Sequence, residues 1–236
     1  MLRLGLCCAL ITLFVGTTKA AIIFSAPAAD PTTDAFDQFF FGGPGTQHNG
    51  EDFTDNNGPP GQIFTTPSGS QFTLNAVGMK GRGNGANFTG NWAVRVATVS
   101  GATLGTTLLQ NTAVTPTGAA VANWAIMNFS GVDQLTLQPN TQYVFQFYTT
   151  AGGSFYGFQN SDAAGGPTAY TGGTAVNGNA GSQSFADTTL QLRSTYDRTF
   201  FVDLAPVAVP EPGTFAVLGS VALGLIACGV RRRSAI

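Results

Sequence analysis

The chain has 236 residues, of which 9% are charged and 11% aromatic, with 31 glycines and a formal net charge of −2. A charge content far below the ~25% of ordinary soluble domains, set among many neutral polar and turn-forming residues, excludes a helical protein rich in Lys and Glu and favours an all-β one. No basic tract lies in the body of the chain, so nucleic acid is excluded as a partner.

Residues 1–20 place Arg3 ahead of an apolar run at 4–15 and end in small residues, Thr18 and Ala20 around Lys19. The run is too short to cross a bilayer, and the order is that of a secretory signal peptide cut after Ala20 by signal peptidase. Of the three cysteines, Cys7 and Cys8 lie in this segment and Cys228 near the other end. Residues 21–206 therefore can form no disulfide, no thiolate metal site and no Cys nucleophile.

The expected domain at 21–206 holds five bases against eleven acids, a net charge of −6, and the imbalance lies in its first third. Glu51, Asp52 and Asp55, followed by Asn56, Asn57 and Gly58, are the densest set of oxygen ligands. They are the candidate site for a structural calcium, although the spacing is not that of an EF-hand, and a solvated acidic loop is the plainer reading. No other cofactor is expected. His48 is the single histidine and sits in a Gly/Pro-rich stretch. A Ser-His-Asp triad would have to use it, and no serine elbow accompanies it.

Further along, apolar residues alternate with a period of two, the signature of strands with one face buried. Phe72, Leu74 and Ala76 form one such row, and Trp92, Val94 and Val96 another. Tyr143, Phe145 and Phe147, then Phe200, Val202 and Leu204, repeat the pattern. Strands are also expected at 106–115, 123–129, 154–159 and 188–193. Trp92 and Trp124 fit the pattern as core residues. Many short half-buried strands separated by Gly and Pro predict an antiparallel β-sandwich or jelly roll. Tyr143 follows a Pro139-Asn140 turn at the start of a strand. This resembles a tyrosine corner, whose phenol hydrogen-bonds backbone upstream.

Phe155, Tyr156, Phe158, Gln159 and Asn160 mix aromatic faces with amides, the chemistry that contacts sugars. They make a lectin-like carbohydrate-binding module the first alternative function, with extracellular polysaccharide as partner. A secreted hydrolase is the second alternative. It would need two carboxylates facing across a cleft, and the scattered acids identify no such pair. No catalytic residue is assigned, and the chain is expected not to be an enzyme.

The last thirty residues, 207–236, form a third segment. Pro210 and Pro212 flank Glu211 and exclude a helix there. Residues 214–230 are uncharged and long enough for a transmembrane helix. Arg231, Arg232 and Arg233 then hold the end in the cytoplasm. These residues closely resemble the PEP-CTERM sorting signal of Gram-negative bacteria. The resemblance implies an exosortase as processing partner, an inner-membrane intermediate held by the C-terminal helix, and a destination at the cell surface or in the extracellular matrix. It also implies an association with exopolysaccharide and biofilm. The stretches 91–109, 135–150, 168–176 and 198–204 further resemble the choice-of-anchor extracellular β-sandwich domains. Together these readings predict a non-enzymatic surface or matrix protein with a structural or adhesive role.

Overall fold

The structure is a computed structural model and describes residues 21–40, 58–81, 88, 90–114, 123–149, 158–160, 170–178, 185–194 and 196–208. Among these residues there are twelve strands: β1 (Ala21–Ser25), β2 (Gln38–Phe40), β3 (Gly61–Thr65), β4 (Phe72–Lys80), β5 (Trp92–Ser100), β6 (Thr103–Val114), β7 (Trp124–Ser130), β8 (Leu135–Leu137), β9 (Gln142–Thr149), β10 (Ala175–Asn177), β11 (Gln191–Arg193) and β12 (Phe200–Pro206). A single 3-10 turn, Gly131–Asp133, joins β7 to β8. The expected signal peptide and C-terminal helix lie outside the described residues.

The strands form two antiparallel sheets. The first has the order β1-β7-β4-β12-β2, with β8 paired to the end of β4. The second has the order β11-β10-β3-β9-β5-β6. Their facing sides share one core. Trp92, Val94, Val96, Phe64, Tyr143, Phe145 and Phe147 come from the second sheet. Phe24, Leu74, Val77, Met79, Met127, Phe200, Val202 and Leu204 meet them from the first. Burying each such side chain is worth about 1.5–3 kcal/mol. Trp92 is central: Phe24, Phe88, Phe147 and Phe158 all lie 5.3–6.4 Å from it, ring to ring. The all-β, sandwich-like expectation holds.

Two details depart from simple alternation. Phe72 and Leu74 face the shared core, but Ala76 does not. The register between β4 and β12 slips between Asp203 and Leu204, so that Asn75 is the extra residue of a β-bulge. A bulge of one residue reverses the facing of everything beyond it. Val77 and Met79 therefore turn inward, and Ala76 joins Trp124, Ile126 and Phe201 on the outer side. Trp124 is fully buried, as expected, but in this outer cluster.

The second departure concerns half-burial. In β5, Ala93, Arg95 and Ala97 are as buried as Trp92, Val94 and Val96. On this sheet a second apolar layer, Ile63, Ala97, Val99, Val144, Val176 and Leu190, lies behind the first. The cover comes from residues 185–190. Leu104 N–H donates to Thr188 O and Leu190 N–H to Ala102 O, at 3.0 and 2.8 Å. That tacks the segment ahead of β11 onto the β5–β6 turn. Gly61 shows how closely β3 and β9 approach within this sheet, since a Cβ there would collide with the carbonyl oxygen of Phe145.

Candidate functional site

The C-terminal exit of the body is built from three pieces. β12 runs through the first sheet, paired to β4 on one side and β2 on the other. It ends at Pro206, and Val207 N–H still donates to Gln71 O at 2.8 Å. Beside it lie the β3–β4 loop, residues 66–71, and the β8–β9 loop, residues 138–141. Thr66, 1% exposed, ties these loops together. Its hydroxyl donates to Gln138 O at 2.6 Å and accepts Thr141 N–H at 3.1 Å. Asn140 takes a positive φ of 49°, a conformation asparagine tolerates in turns, and its N–H reaches Pro67 O at 3.1 Å. The Tyr143 hydroxyl accepts Gln138 N–H at 2.8 Å, so the expected tyrosine corner is present. A depression of about 270 Å³ opens next to these loops, lined by Ile63, Gly101, Gln142, Thr174 and Leu192 among others.

A buried polar cluster links the two sheets ahead of β12. Arg198 is wholly buried. Its guanidinium donates to Asn160 Oδ1 and Asn177 Oδ1, both at 2.7 Å. Its backbone N–H donates to Gln62 Oε1 at 2.9 Å. Gln62 Nε2 in turn donates to Asp197 Oδ1 at 3.0 Å. Burial pushes the Asp197 carboxyl above its ordinary range, against hydrogen bonds from Gln62, Tyr170 and Ala175 that pull it down. Burial likewise pushes the Tyr170 phenol up to about 12. That hydroxyl donates to Gln38 Oε1 at 2.9 Å.

Behind the second sheet, Arg95 donates through Nε and an Nη to Gln146 Oε1, and through the other Nη to Phe185 O at 2.8 Å. Burial lowers its pKa to about 10, with the Asp187 charge opposing. The guanidinium remains charged at neutral pH. In both clusters most of the polar atoms bond one another or backbone carbonyls, while Asn177 Nδ2 is buried without a hydrogen-bond partner among the described residues.

The sequence-predicted sites are distributed unevenly over this structure. Phe158 is fully buried and packs on Trp92 and Phe147. Its ring has no open face for a sugar. Asn160 is 3% exposed and holds Arg198. Gln159 is half-buried, and its backbone bridges Lys80 and Thr199. Packing has thus drawn the apolar and amide members of that stretch inward. Phe155 and Tyr156 lie outside the described residues, as do the candidate calcium ligands Glu51, Asp52 and Asp55. Pro210, Glu211, Pro212 and the three arginines also lie outside them. Among the described residues no group of three or more His, Cys, Asp or Glu could hold a metal ion. Thr66, Arg95, Gln146 and Arg198 were not singled out from sequence. For Arg95 the usable signal was Ala93, Ala97 and Val144, apolar residues at positions that should have faced water.

Neither a curated protein nor a solved structure matches the chain. Residues 208–233 match the model of the PEP-CTERM protein-sorting motif. The match begins one residue after Val207, where the described sandwich hands over to the tail. This motif marks the chain as exported, processed by an exosortase and sorted to the surface of a Gram-negative cell.

Proposed function

We propose that this chain is a non-enzymatic structural or adhesive protein of an exopolysaccharide-rich surface or biofilm layer. An inner-membrane intermediate, held by the C-terminal helix, precedes its release. The observation that carries the reading is the sorting motif at 208–233 joined without a spacer to a two-sheet β body. A choice-of-anchor-like sandwich or jelly roll is the natural description of such a body. The use of the buried polar groups supports a structural role: Arg95, Arg198, Gln62 and Gln146 stitch layers together.

Mass spectrometry of the mature protein, combined with cell fractionation, tests this. The expected product begins at Ala21, lacks Arg231, Arg232 and Arg233, and co-fractionates with extracellular polysaccharide. An intact chain lodged in the inner membrane would end the proposal. A processed protein that washes free of polysaccharide would keep the sorting and remove the matrix role.

A further inference from the structure

The chain is fixed as far as Val207, and Pro210 lies three residues beyond it. Even fully extended, three residues reach no more than about 10 Å. An enzyme that reads Pro210, Glu211 and Pro212 therefore meets the end of the sandwich from which β12 leaves. The start of the body lies at the same end. β1, β7, β4 and β12 are successive antiparallel neighbours, so β1 begins where β12 finishes. The two ends of the described body, Ala21 and Ala208, therefore lie on one side.

That side is a pre-formed surface. Thr66, Tyr143 and the Asn140 turn hold the two loops in place through the four hydrogen bonds described above. Ordered loops lose little conformational entropy on association. Ser68, Gly69, Gln71, Gln138 and Asn140 are exposed on them. Residues 66–71 and 138–142 include no Lys, Arg, Asp or Glu, so docking strips no charge of its water. The same residues lack the cations that seek anionic headgroups. Beside them, Phe36 packs on Phe72 and Leu192 lines the neighbouring depression, two separate exposed apolar side chains next to neutral polar loops, a mixed surface of the kind protein partners bury. The occupant they fit is a protein.

We propose that residues 66–71 and 138–142 form the surface on which the enzyme that processes the sorting motif docks. The inference rests on the exosortase-sorted reading, and the test separates the two. The full chain is expressed in a host that carries the processing enzyme, and tail removal is followed by pulse-chase. A triple variant, Ser68→Glu, Gln71→Glu and Gln138→Glu, is expected to slow removal about tenfold, equivalent to ~1.4 kcal/mol. A control with equal added charge on β6, Thr106→Glu, Leu108→Glu and Gln110→Glu, is expected to be processed at the rate of the unaltered chain. Adding twelve Gly/Ser residues after Ala208 to the loop variant lengthens the tether but supplies no docking surface, and is expected to leave processing slow. Thermal melts of all variants verify folding. Loop and control variants cut at equal rates would overturn the proposal, as would full rescue of the loop variant by the linker, which would show that the added charges only obstruct the enzyme. If Pro210→Ala with Pro212→Ala leaves cutting unchanged, or the unaltered chain is never cut, the sorting reading itself falls and takes this surface with it.

Discussion

On the sheet that carries β12, the outward side chains beside the small Trp124 cluster include half-exposed polar groups, such as Asn75 bonded to Asp203 at 2.9 Å. On the sheet that carries β5 and β9, the outward positions hold Arg95, Gln146, Val144 and Ile63, all under 4% exposed. The sheets share one core yet differ behind it. The first meets solvent, while the second is covered by residues 185–190. The lesson is that a polar residue at an outward strand position has two quite different costs of loss. One side chain is half-exposed and replaceable; the other donates to a buried carbonyl or amide oxygen that its loss leaves short of a donor.

Mutations can break this comparison or sharpen it. Trp92→Ala cuts the layer both sheets share and is expected to cost about 3–5 kcal/mol, read as a fall in the urea midpoint. Arg95→Ala comes next. It strips donors from Gln146 Oε1 and Phe185 O in a buried layer and should cost about 2–3 kcal/mol. Asn75→Ala, the matching deletion on the other sheet, should cost about 1 kcal/mol or less; equal losses from the two would erase the distinction. Tyr143→Phe removes only the acceptor for Gln138 N–H and should cost about 1 kcal/mol, with the strand pairing of β9 intact by circular dichroism.

The smallest effect concerns pH. Burial first, with the Asp37 and Asp34 charges adding to it, raises the Asp203 carboxyl above its ordinary 3.8, while the Asn75 hydrogen bond lowers it. A carboxyl raised in the folded state binds its proton more tightly there than when unfolded. Its contribution is complete below pH 3.8 and is lost as pH climbs through the raised value. Asp203→Asn should therefore flatten thermal stability between acid and neutral pH. A variant that tracks the unaltered chain throughout would refute this.

How far the sequence is legible follows the same division. β4, β5, β7, β9 and β12 are long enough for period two to appear, and Tyr143 is marked by the Pro139-Asn140 turn before it. Shorter strands escape. β2 and β10 have three residues each, too few for a period. β3 begins at a glycine between two prolines and a Thr-Thr-Pro exit, which reads as loop. β1 starts at Ala21, directly after the apolar run of the expected signal peptide, and blends into it. The bulge at Asn75 is a long-range matter, set by register against β12. Arg198 and Arg95 are buried by segments more than eighty residues away from Gln62 and β5 respectively, which no local pattern encodes. The exit surface was hidden for the same reason, because Thr66 finds Gln138 and Thr141 only after β3 and β9 pair.

The place of β12 has a mechanical consequence. A mature protein held by its tail would receive tension along β12. Seven residues of that strand are in register with β4, and three also with β2. Antiparallel backbone hydrogen bonds lie perpendicular to the strands, so such a pull loads them side by side, in shear, and several must fail together. Were the tail to leave from a hairpin at the sheet margin, the same pull would open bonds one at a time, as a zipper. The strand that carries the address is thus also the one best placed to bear a load.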